Sequence, residues 1–132
     1  MSTDEEPKEE EAKKDPIKLH REGTALADVG NYEDAIDKFY SAYEVYEKDR
    51  NHFDASYTLF KAAECSFYLK DYEAASERFL KSAKIAFEVG YDRFAISALE
   101  YARDCYKAQD QKKKVVEIEK QIKDAKEKLP KV

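Results

Sequence analysis

The segment NYEDAIDKFYSA at 31–42 aligns without a gap on DYEAASERFLKS at 71–82, an offset of forty residues. It pairs Tyr32 with Tyr72, Glu33 with Glu73, Ala35 with Ala75 and Phe39 with Phe79. The same offset carries Leu19 onto Leu59 and Leu99, Gly23 onto Ala63, and Ala25 onto Cys65 and Cys105. A fixed period of this length marks a chain built from stacked copies of one supersecondary unit, each burying its apolar face only against its neighbours. The pattern fades near the end, where Lys112, Val115 and Glu119 replace Tyr72, Ala75 and Phe79. The last unit of a stack meets water on its outer side and is expected to differ.

Within each copy the apolar period is helical. Tyr32, Ala35, Ile36, Phe39, Ala42, Tyr43 and Tyr46 follow i, i+3, i+4, i+7 spacing. Asp15-Pro16 reads as an N-cap followed by proline at the first helical position, which opens a helix over 16–29. Gly30-Asn31 turns the chain into a second helix over 32–48. Asn51, Asp71 and Asp92 are the expected caps of three more helices, ending near Leu69, Val89 and Ala108, with Gly90 closing the middle one. A sixth runs from Gln111 to Leu129 and stops at Pro130. The helices fall into pairs at 16–49, 51–89 and 92–129 of one domain spanning 16–132. A small residue in the first helix of a pair (Gly23, Ala63) and one in the second (Ala35, Ala75) permit close backbone approach. Phe39 or Phe79 then fills the space beside them, and Tyr32 or Tyr72 sets the hairpin angle.

Small and aromatic positions in this order resemble those of the tetratricopeptide repeat family. The matching residues are Leu19, Gly23, Leu26, Gly30, Tyr32, Ala35, Phe39 and Ala42, then Leu59, Ala63, Leu69, Tyr72, Ala75 and Phe79. The resemblance covers about 17–129, strongly in two repeats and weakly in the third. It implies an all-α fold, a right-handed superhelical array of three antiparallel helix pairs, and a non-catalytic role in binding other proteins. The forty-residue period exceeds the family's usual thirty-four, so each helix is expected to be nearly a turn longer. With the phrase AAECSFYLKDYEAASERFLKSAKIAFEVG at 62–90, it is similar to the long-helix variant found in soluble NSF attachment proteins (SNAPs).

Composition excludes several alternatives. Three glycines and three prolines are too few for an all-β chain with its frequent turns. Residues 1–15 carry seven acids, three lysines and almost nothing apolar, and are expected to form an acidic tail outside the fold. Met1 to Lys14 is charged where a secretion signal is apolar, which points to a cytoplasmic setting. A net charge of −5 argues against nucleic acid as partner of the body of the protein. Only the last helix, with Lys112, Lys113, Lys114, Lys120, Lys123, Lys126 and Lys128, offers basic surface for an anionic membrane or RNA, and its interspersed glutamates read more simply as a solvated face.

No set of side chains suggests catalysis, a metal, a cofactor or a small-molecule substrate. His20 and His52 stand far apart and outside any ligand motif, and no glycine-rich loop cradles a phosphate. Cys65 and Cys105 occupy equivalent places in successive first helices, too far apart for a disulfide, and are expected to be buried thiols.

In an array like the one the family implies, the first helices of the pairs line the concave face. Tyr57, Phe60, Phe67 and Tyr68 lie off the stripe of Leu59, Ala62, Ala63, Ser66 and Leu69. With Glu64, and His20 and Thr24 of the first helix, they are the expected groove for a partner peptide or helix. The competing reading buries these rings in the seams against the first and fifth helices. Some family members clamp the carboxylate end of chaperones with Lys, Asn and Arg; His20, Thr24, Lys61, Ser97 and Tyr101 stand at those places, so that specificity is not implied. A self-associating homo-oligomer built through exposed end helices is the second expectation.

Overall fold

The computed structural model describes residues 14–131, and among them there are six helices and no strand. The expected acidic tail lies outside the described residues but for Lys14 and Asp15. The helices are α1 (Pro16–Asp28), α2 (Tyr32–Lys48), α3 (His52–Tyr68), α4 (Tyr72–Glu88), α5 (Asp92–Ala108) and α6 (Lys112–Glu127). Each packs on the next along the chain, α1 on α2 through to α5 on α6. This sequential stacking is that of a tetratricopeptide-like α-solenoid. No helix among the described residues is long and apolar enough to cross a membrane.

Chain reversal follows one rule five times. Gly30, Arg50, Lys70, Gly90 and Asp110 all adopt the left-handed conformation, with φ of 81°, 61°, 62°, 84° and 55°. At every one the following N–H reaches back to close the helix, as Asn31 N to Leu26 O (2.8 Å) and Asp71 N to Ser66 O (2.9 Å). These are Schellman closures, which satisfy carbonyls that the helix end leaves unpaired. Gly30 and Gly90 are the residues suited to such backbone. Arg50, Lys70 and Asp110 hold it with a side chain, so the turn recurs every twenty residues although glycine marks only two of its five positions.

At the helix starts, the Asp15 carboxylate accepts from Ile17 N at 2.9 Å and Asp71 from Ala74 N at 3.3 Å, the capping expected of them. Asn51 occupies an N-cap without a side-chain bond, and Asp92 is the first residue of α5 rather than its cap, which is Tyr91. At Asp92 the carboxylate still faces the positive end of the helix dipole.

The interlocking positions are buried. Ala35, Phe39, Ala63, Ala75 and Phe79 are fully enclosed, and Gly23 lies under the Phe39 ring. A Cβ on Gly23 would sit 2.8 Å from Phe39 Cε1, which explains why the first pair has glycine where the second has Ala63. Tyr32 and Tyr72 are half-buried at the hairpin turns. Between α3 and α4, Ser56 Oγ donates to Ser82 O and Ser82 Oγ to Ser56 O, both at 2.8 Å, so a small polar pair is satisfied inside the seam. Along the second helices, Arg78 of α4 lies 5.6 Å over the Tyr40 ring of α2 and Lys81 lies 5.1 Å over Tyr43. The cations lie over one half-buried ring, Tyr40, and one buried ring, Tyr43.

Candidate functional site

The side chains singled out on α1 and α3 divide into a buried set and an open set. Phe60 belongs to the first. It is only 9% exposed, packed edge-on to Phe79 at 5.1 Å and Tyr101 at 5.4 Å, and 5.2 Å from Phe94. The expectation of Phe60 as an exposed anchor is therefore corrected: it fills the seam between α3, α4 and α5. Phe67 is half-buried, edge-on to Tyr72 at 5.4 Å, and braces the turn between α3 and α4. The reason is that an inner helix has neighbours on both sides. α3 buries Ala55, Ser56, Thr58, Leu59, Phe60, Ala62, Ala63, Cys65 and Ser66, nearly two faces rather than one stripe. Its seventeen residues hold only three charges (Asp54, Lys61, Glu64), against seven in α2, and that depletion is the signal in the sequence for the wider contact.

Tyr57 and Tyr68 belong to the open set, at 39% and 59% exposure. Tyr57 stacks on His20 at 5.7 Å and lies 6.1 Å from Phe94, so one ring touches all three first helices of the pairs. His20 is held between Tyr57 and Phe39, the latter at 5.1 Å. Burial lowers the pKa of its imidazole, the Lys61 ammonium lowers it further, and Asp54 partly opposes them. Tyr68 stacks on Tyr32 at 5.1 Å. Phe53, Tyr91 and Phe94 extend the ring contacts at the other end of α3 and α5, with Phe53 and Tyr91 at 4.4 Å. Tyr91 and Phe94 have no aromatic counterpart at the equivalent Asn51 and Asp54, so the repeat gave no sign of them.

Thr24, Glu64 and Tyr68 meet at one cleft of about 260 Å³ between α1 and α3, whose wall also includes Asp28, Tyr32 and Lys61. His20 and Tyr57 lie outside its lining, toward the start of α3. Lys61 Nζ donates to Glu64 Oε1 at 2.8 Å, one turn further along the same helix. Cys65 forms part of the floor; burial pushes its thiol up to about 11, with Glu64 adding to the shift and Lys61 opposing it. Cys105 is buried deeper in the stack and its thiol is pushed up to about 12, with Asp104 adding to the effect of burial. Both are free thiols. Among the described residues no three His, Cys, Asp or Glu side chains gather as a metal site would require.

Six helices stacked in chain order, with a shared small-residue and phenylalanine interlock, define a helical-repeat protein. A family profile described as tetratricopeptide repeat matches residues 16–86, more than half the chain, and the protein belongs to that family. No curated protein and no solved structure gives a significant match. Repeats of this family generally mediate protein–protein interaction and are typically non-catalytic.

Proposed function

We propose that this chain is an interaction module that binds a peptide or helix of a partner protein on the face built by α1, α3 and α5. The observation that carries the reading is the open cleft between α1 and α3, with Tyr68 in its wall, together with the exposed tyrosines Tyr57 of α3 and Tyr101 of α5. Tyrosine supplies contact area at low entropic cost and keeps a polar tip for hydrogen bonding, which is why it anchors interfaces. The rings are seated by stacking on His20, Tyr32 and Phe79, so little order remains to be gained on binding. Helices of seventeen residues in α2 to α5 support kinship with the long-helix variant seen in soluble NSF attachment proteins. Two unpaired thiols agree with a cytoplasmic setting.

The test is a double variant, Tyr57→Ala with Tyr68→Ala, compared with the parent chain in capture from a native lysate. Loss of captured protein with unchanged helical circular dichroism supports the docking face; equal capture removes it. Phe60 is unsuitable for this purpose, because its loss opens a cavity in the core. A sedimentation coefficient that rises with concentration would favour self-association through the end helices instead.

A further inference from the structure

α1 and α3 end at the same cleft, and neither last turn carries a cation, Lys70 following only in the turn that closes α3. α1 terminates at Asp28 and α3 at Tyr68, both of which line the opening. The last turns of α2, α5 and α6 hold Lys48, Lys107 and Lys126, the usual complement to the negative end of a helix; those of α1, α3 and α4 hold no basic residue, and of these only α1 and α3 end at the cleft. The carbonyls of both ends are closed by backbone N–H groups, as Asn31 N to Leu26 O and Asp71 N to Ser66 O, so the two helix ends add only a residual negative field to the cleft. Asp28 adds a full charge there, and among the described residues it takes part in no ion pair.

The hydrogen-bonding inventory leans the same way. Glu64 pairs through Oε1 with Lys61, leaving Oε2 as an acceptor, so the cleft holds two carboxylates against one ammonium. Thr24 Oγ1 donates its proton to His20 O at 3.0 Å and retains its lone pairs. An ionised Asp28 accepts only. The cleft's carboxylates outnumber its ammonium, and the stacked Tyr32 and Tyr68 rings in its wall offer faces that attract a cation.

We infer that the cleft between α1 and α3 receives an arginine side chain from the docking segment of the partner protein, its guanidinium held by Asp28 and Glu64 against the Tyr32 and Tyr68 rings. Arginine fits better than lysine, since a planar guanidinium stacks on an aromatic ring while directing its in-plane donors at carboxylates. The inference rests on the docking face proposed above and specifies one contact within it.

The test uses N-acetylarginine amide as probe and its neutral isostere, N-acetylcitrulline amide, as control, titrated into the full-length chain at low ionic strength and followed by amide NMR shifts. Saturable changes confined to residues 24–28 and 61–68 are expected with the arginine compound and not with citrulline. Asp28→Asn should weaken binding roughly tenfold, as loss of a charge-assisted bond implies, and Glu64→Gln should weaken it in the same direction. Equal response to citrulline, preferential binding of N-acetylaspartate amide, or unchanged affinity in Asp28→Asn overturns the assignment. If the probe fails while the Tyr57/Tyr68 double variant still loses its captured protein, the arginine contact is wrong and the docking face stands. If the double variant also captures normally, both are wrong.

Discussion

Replacing Lys70 by glycine should stabilise the fold. Lys70 sits at φ 62° in the turn between α3 and α4, and its side chain makes no ion pair among the described residues. A residue with a Cβ in this conformation costs about 1–2 kcal/mol. Glycine removes that cost and returns roughly 0.5–1 kcal/mol through the greater freedom of its unfolded chain. The balance is a gain of about 0.5–1 kcal/mol, or roughly 2–4 °C in Tm for a chain of this length. Arg50→Gly should behave alike, and Asp110→Gly should gain least because aspartate visits this region more readily. The reverse exchange is a clean control: a Cβ at Gly30 or Gly90 meets nothing within 4 Å, so Gly90→Ala would lower Tm through backbone conformation alone. Thermal unfolding followed at 222 nm measures all four. A fall in Tm for Lys70→Gly together with no change for Gly90→Ala would refute the account of the turns.

Three further outcomes follow from the packing. Gly23→Ala should destabilise by about 1–3 kcal/mol despite alanine's better helix propensity, because its Cβ would overlap the enclosed Phe39 ring, and urea unfolding would show it. Cys65 and Cys105, with thiols pushed up to about 11 and 12, should resist a disulfide reagent at pH 8 until the chain is unfolded; rapid labelling of the native protein would contradict their burial. His20 has its pKa lowered in the folded state, so the unfolded chain binds its proton more readily. Stability should therefore fall as pH drops through the ordinary histidine range near 6.5, and His20→Gln should remove that part of the dependence, as paired pH titrations of Tm would show.

How much was legible in the sequence depended on which interactions a residue type announces. Gly23, Ala35, Phe39, Ala75 and Phe79 showed the helix pairs because close packing restricts size, and size is visible in a one-letter string. Gly30 and Gly90 marked two turns for the same kind of reason. Arg50, Lys70 and Asp110 did not, because their conformation is enforced by helices on either side rather than by local preference. Phe60 was placed in the groove, with burial in a seam as the competing reading, because a single apolar stripe was assigned to α3, whereas α3 is covered by the helices before and after it. The cleft at Thr24, Glu64 and Tyr68 was legible only as a list of neighbouring positions. That Asp28 of α1 and Tyr32 of α2 join them follows from how these two helices meet α3, a tertiary relation that no local pattern encodes.

The central claim is that partners dock beside α1 and α3 rather than on the opposite, second-helix side. A photo-crosslinking amino acid placed at position 68, beside the cleft, or at position 84, an exposed lysine of α4, tests it directly. Discrete crosslinked bands from position 68 and none from position 84, in the same native lysate, are predicted. The opposite distribution would contradict the claim.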